Sequence, residues 1–261
     1  METINLTVPR NYSEMTEKQI RYVAALQIFG SSEEDIRTKC FIRFSGIRPL
    51  FLHKEKYWFK KKGLKKPFAM SVGEVHAFSK NMDWLTKRYV GISPCAKIGK
   101  YAPCDKLFRD ITFLQYLDAE NYYQAFLFKK EEKYLDKLIG TLYQPGKDYS
   151  NSLTEERAKY FARKASDEER LICLMWMIGV KEHFSRKFRF LFKRMDADED
   201  EEPTTAPDMY GIMQAQIRVL TEGDITKREK VLQSLTWDAL HELNEKIREA
   251  EELKKKKNMK M

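Results

Sequence analysis

Cysteine, histidine and clustered carboxylates are the side chains best suited to chemistry, so their spacing is the first test. The four cysteines are Cys40, Cys95, Cys104 and Cys173. No two stand at C-x-x-C spacing and no histidine flanks them at ligand distance. Structural zinc takes four soft ligands, usually in close pairs, so zinc is not expected. Cys95 and Cys104 each follow a proline, in Pro94-Cys95-Ala96-Lys97 and Pro103-Cys104-Asp105-Lys106. A redox pair is one reading; two loop or strand-end residues is the plainer one. The histidines His53, His76, His183 and His241 show neither H-x-H nor H-x-x-x-H spacing. The run Asp196 to Glu202 holds six acidic groups in seven positions. It places Asp196, Asp198 and Asp200 where a calcium loop needs its first, third and fifth ligands. Yet Glu201 stands where that loop requires glycine, and Pro207 where it requires glutamate, so the loop can neither turn nor close. No phosphate-cradling or nucleophile-elbow glycine motif occurs. With 11 glycines in 261 residues, few backbone N–H groups can approach a phosphate without Cβ interference. No catalytic residue, metal site or cofactor is expected, and the chain does not read as an enzyme.

Basic stretches are more suggestive. Lys54, Lys56, Lys60, Lys61, Lys62, Lys65 and Lys66 surround Tyr57-Trp58-Phe59. Lys181, Arg186, Lys187, Arg189, Lys193 and Arg194 have four phenylalanines among them. Cations neutralise phosphates and aromatic rings stack on bases. Lys60, Lys61, Lys62, Lys65, Lys66, Arg186, Lys187 and Arg189 are therefore candidate nucleic-acid contacts. The competing explanation is a hairpin whose edge is protected by lysines, and a helix whose phenylalanines face the core. No known nucleic-acid module is recognisable. Lys254 to Lys257 and Lys260 supply five charges of a net +9, so the basic balance is partly a tail effect.

A second candidate surface lies near the C-terminus. Leu240, Leu243, Ile247 and Ala250 follow 3-4-3 spacing, one turn after Trp237. Glu242, Glu245, Lys246, Arg248 and Glu249 fill the other side. The stripe spans under two heptads, too short for a coiled coil. It either docks on the core or binds a partner helix or groove. On the second choice, Trp237, Leu240, Leu243 and Ile247 are the partner-binding residues.

The elements that position these groups follow from composition and patterning. Apolar residues make up 43% of the chain and charged residues 33%, which is foldable. Few glycines and prolines favour helices. The longest near-continuous apolar run, Leu171 to Val180, is ten residues; a membrane span needs about 20. Met-Glu-Thr-Ile-Asn has neither basic nor apolar signal regions, so a cytoplasmic location is expected. Thr3 to Val8 alternates and could be an edge strand. Thr16-Glu17-Lys18-Gln19, Ser166-Asp167-Glu168-Glu169 and Thr226-Lys227-Arg228-Glu229 read as capping boxes. Arg48 to Met70 reads as an antiparallel meander. Leu171 to Ile178 is apolar all round and should be a central buried helix. The expected fold is mainly α: a helical core over 1–195 with the meander inserted at about 48–70, then an acidic linker at 196–207. A helical segment follows over 208–261.

Several stretches also resemble one family. Met15-Thr16-Glu17-Lys18-Gln19-Ile20-Arg21-Tyr22-Val23 and Ser32 to Arg37 are similar to segments of an uncharacterised family encoded by tailed phages and prophages of gut bacteria. Ala119-Glu120-Asn121-Tyr122-Tyr123-Gln124 resembles its central motif. Met213 to Lys227, followed by Thr236-Trp237-Asp238-Ala239-Leu240, resembles its most distinctive one. The resemblance implies a role in virion morphogenesis, as a tail assembly chaperone-like factor binding a tail or other virion protein. It carries over no functional residue. Helices 208–257 on their acidic tether would then shield a client, and deleting 208–261 should leave a folded core. A nucleic-acid-binding accessory protein and a structural virion component are the alternatives.

Overall fold

The computed structural model describes residues 4–144, 149–193 and 208–258. In chain order its helices begin with α1 (Glu17–Ile28) and α2 (Glu33–Phe44). Strands β1 (Ile47–His53), β2 (Lys56–Lys61) and β3 (Phe68–Ser71) follow, then α3 (Val72–Ser79). After a long irregular stretch come α4 (Phe113–Lys129), α5 (Glu132–Leu142), α6 (Asn151–Lys164) and α7 (Asp167–Lys187). The chain closes with α8 (Met209–Thr221), α9 (Arg228–Leu232) and α10 (Thr236–Asn258). The fold is mainly α with a small antiparallel meander. Among the described residues, no helix is long and apolar enough to cross a membrane.

Two compact units result. One joins residues up to Ser93 to Asp167–Gly179; the other joins Pro94–Ser166 to the chain from Val180 onward. The expected division at 196–207 is therefore corrected: the helices from 208 belong with 94–166. The acidic segment itself lies outside the described residues.

In the first unit, local signals fix the helix ends. Thr16 caps α1 by accepting from the Gln19 amide, and the Gln19 side chain returns to the Thr16 N–H at 2.8 Å. Gly30, at φ +66°, ends α1 and lets the Ser31 amide reach the Leu26 carbonyl, as an αL residue does at a helix C-terminus. Ser32 and Ser71 cap α2 and α3. Arg21 bridges Glu17 at 2.9 Å and Glu169 at 3.0 Å, tying α1 to α7. Along α7, Ile172, Cys173, Met175, Trp176 and Met177 are buried, as an apolar run should be. Gly179 is required there: an added Cβ would sit 2.3 Å from the Tyr89 carbonyl oxygen. Residues 4–8 form no strand; alternation alone supplies no partner edge.

In the second unit, α4 breaks from α5 at Lys130, whose φ is +55°. Buried Gln115 donates to the Thr141 carbonyl at 2.7 Å, and buried Gln144 to the Gly140 carbonyl at 2.8 Å, so these amides fasten α4, α5 and the following turn. The proline-flanked cysteines are both buried. The Cys104 amide donates to the Leu142 carbonyl at 2.8 Å, and the Tyr143 hydroxyl to the Cys95 carbonyl at 3.1 Å. The expected box at Thr226 is replaced by a short turn, because Asp224 takes both the Thr226 amide and hydroxyl.

Helix α10 is an internal element, which corrects its reading as a partner-binding arm. Leu240 is 0% exposed and Leu243 1%. Trp237 packs at 5.6 Å between ring centroids on both Phe184 and Phe188, and its Nε1 donates to the Leu107 carbonyl at 2.7 Å. Ile247 is half-buried. The stripe found its complement in the same unit, because the α7 phenylalanines offer the greasy surface it needs. Leu240→Ala should therefore cost about 2–5 kcal/mol, the range for a buried leucine. Urea unfolding measures it, and a loss below about 1 kcal/mol would restore the arm.

Candidate nucleic-acid interface

The meander is ordered β1-β2-β3 and antiparallel throughout. Its inner face carries Phe59, fully buried, with Tyr57 and Phe68 against it at 6.2 and 5.9 Å. Side chains alternate across a strand, so Lys56, Trp58 and Lys60 point the other way. The pairing of β1 with β2 brings Arg48 opposite Lys60, Phe51 opposite Trp58, and His53 opposite Lys56. A bulge between Pro49 and Phe51 makes this possible. It inserts Leu50 as an extra residue and so shifts Arg48 onto the face of Phe51 and His53. On the far side, Ala69 and Ser71 of β3 pair with Trp58 and Lys56; their small side chains leave Trp58 half-buried.

The outer face is thus three rows. Phe51 and Trp58 stack at 5.8 Å with their planes 25° apart, and Phe51 is 56% exposed. Arg48 and Lys60 lie to one side of this pair, His53 and Lys56 to the other. Same-face neighbours along β2 are about 7 Å apart. Lys54 stands at the hairpin tip, and Lys62, Lys65 and Lys66 in the exposed turn before β3. None of Arg48, Lys54, Lys56, Lys60, Lys62, Lys65 or Lys66 has an ion-pair partner among the described residues. Lys61 differs: it points inward with Phe59, and its Nζ donates to the Asn5 carbonyl at 2.5 Å. It is removed from the candidate contacts. The tip is strained as well, since Lys54 and Glu55 have φ of +48° and +60°, where side-chain-bearing residues cost about 1–2 kcal/mol.

The second basic stretch is built otherwise. Phe184 and Phe188 are 0% and 2% exposed, so they cannot stack on bases. Arg186 pairs with Glu182, Lys181 with Glu120, and Lys193 with Glu251 at 3.2 Å. Arg189 Nε donates to the Arg186 carbonyl at 3.3 Å. Lys187 is exposed, with its neighbouring rings turned inward. Arg194 lies outside the described residues. Arg186 and Lys187 thus lie on the solvent side of α7 and Arg189 in the turn after it; Phe184 and Phe188 serve packing, while Phe190 is exposed.

Sequence reasoning missed Arg48, Phe51 and His53. Strict alternation would have put Arg48 with Leu50 and Leu52. Only the bulge reverses that, and Pro49 is its nearest sequence signal. No protein-family model matches the chain, nor does any curated protein or solved structure.

Near the second stretch, His183 contacts the Trp237 and Phe184 rings. Burial, and then the cations Arg109, Lys187 and Arg186, hold its pKa below the usual 6.5. The unfolded chain therefore takes up the proton more readily, and stability falls as pH drops below 6.5 toward the folded value. Denaturant unfolding from about pH 7.5 to about 5.5 should show His183→Gln losing less stability than the parent. Equal losses would remove His183 from the pH response.

Proposed function

We propose that the protein is a non-catalytic binding protein whose outer meander face holds single-stranded nucleic acid. One observation carries this reading: exposed Phe51 stacks on half-buried Trp58, beside the like-charge cross-strand pair Arg48–Lys60. Cations placed opposite one another oppose strand pairing, and polyanion binding would relieve that repulsion. Exposed rings suit unpaired bases, whose faces are free, more than a closed duplex. Lys54, Lys62, Lys65 and Lys66 extend the cationic path along the hairpin ends. The test is anisotropy of a labelled oligothymidine across a salt series. Binding should weaken steeply with salt, and Lys60→Ala should lower the log–log slope by about 0.7. Trp58→Ala should cost about 1–3 kcal/mol, and polyglutamate should bind with no dependence on Trp58. Absence of binding at low salt rejects the proposal. So does oligonucleotide affinity indifferent to Trp58, which would leave only a polyanion surface.

The resemblance to phage-encoded proteins supports a second proposal, that the setting is virion morphogenesis with a viral tail protein as client. Its support in the fold is the stripe Ile212, Ala215 and Val219 on α8, exposed and at helical spacing, of which Ala215 and Val219 fall within the motif quoted above. Val219→Glu should abolish co-purification with tail proteins of the neighbouring genes while sparing oligonucleotide binding. Undiminished capture rejects this client site.

A further inference from the structure

A cleft of about 340 Å³ opens within the second unit, between α4 and α8. Its walls include Leu117, Phe192, Ile212 and Met213, and the polar residues Glu120, Gln124 and Gln216 also line it. Glu120 Oε1 accepts from Lys181 Nζ, and from Gln124 Nε2 at 2.7 Å. Its other oxygen, Oε2, is buried with no hydrogen-bond partner among the described residues, and the same is true of Gln216 Oε1. Two orphaned acceptors on one cleft are costly to keep. Both come from segments singled out in the sequence, Ala119–Gln124 and Met213–Lys227, to which the meander gives no role.

We propose that this cleft binds a small primary alkylammonium ion. The chemistry of the walls selects it. Carboxylates and phosphates bring only acceptors and would add to the imbalance. A hydroxyl offers one donor for two acceptors. An amide offers two but brings an acceptor of its own. An ammonium carries three donors and no acceptor, which matches the two orphaned oxygens. The apolar walls then take the alkyl body. The volume lies at the small end of ligand sites, which fits a short chain. This site is independent of the meander.

Calorimetric titration of the full chain with hexylammonium chloride, hexanol and sodium hexanoate tests it. Hexylammonium should bind saturably, and the other two at least tenfold more weakly. Glu120→Gln should weaken hexylammonium about tenfold or more, the loss expected for a hydrogen bond to a charged group. Ile212 is 45% exposed at the rim, so Ile212→Trp should fill the cleft and abolish binding in a folded protein. That variant decides the matter if Glu120→Gln fails to fold. No saturable heat, equal binding of hexanol, or unchanged binding by Ile212→Trp overturns the proposal.

Discussion

The start of α10 is sewn to the start of α4, and the second unit depends on that seam. The Phe113 amide donates to the Ser234 carbonyl at 2.8 Å, and the Thr236 amide to the Ile111 carbonyl at 3.0 Å. The Thr236 hydroxyl, wholly buried, reaches the Ile111 and Thr112 carbonyls at 3.1 and 3.0 Å. One residue on, Trp237 is held at both ends: its ring by Phe184 and Phe188, its N–H by Leu107. Breaking the seam would strand buried polar groups at about 1–3 kcal/mol each. It would also uncover Leu240 and Leu243. A helix so fastened cannot serve as a reversible arm, and its amphipathic pattern is spent on folding.

The same reasoning separates the two basic stretches, which composition cannot. Both mix cations with aromatic rings at similar density. In α7 the rings are the core, and several of the cations are answered by carboxylates: Lys181 by Glu120, Arg186 by Glu182, Lys193 by Glu251. In the meander one ring, Phe59, satisfies the core, while Phe51 is exposed and Trp58 half-buried, beside Arg48 and Lys60, which make no ion pair among the described residues. What differs is period. A helix sorts rings and charges every third or fourth residue, so each kind collects on its own side. A strand sorts by two, and Lys56-Tyr57-Trp58-Phe59-Lys60 sends one ring outward with its charges.

Most of the helices were legible because their ends are chemically marked. Thr16, Ser32 and Ser71 cap as their types and spacing foretell, and most of the Leu171 run is buried, with Leu171, Leu174 and Ile178 half-buried. The meander was legible from its β-prone runs. What escaped was non-local. No residue before 108 announces that Trp237 will bond the Leu107 carbonyl, so an internal stripe and a docking stripe read alike. The bulge at Leu50 escaped for a different reason: one added residue reverses the parity of a strand, and sequence gives that reversal little mark beyond a proline. The outer face was thus half read, with Lys60 found and Phe51 missed.

Local rules and global fold agree through most of the described chain, and several of the exceptions lie in the hairpin. The tip at Lys54 and Glu55 puts two non-glycine residues at positive φ, where a two-residue hairpin favours Asn-Gly. The row Arg48–Lys60 beside Phe51 and Trp58 sets cation against cation. Trp58 and Phe51 leave aromatic surface in water. Each choice costs stability and none improves packing, since Phe59 already closes the inner face. Sequences that fold well are consistent across levels, and departures gather where something other than folding is selected. A hairpin serving only as a lid would gain from Asn-Gly at its tip and acidic residues at 48 or 56. That it has neither supports the proposal of a ligand on this face over a purely structural role.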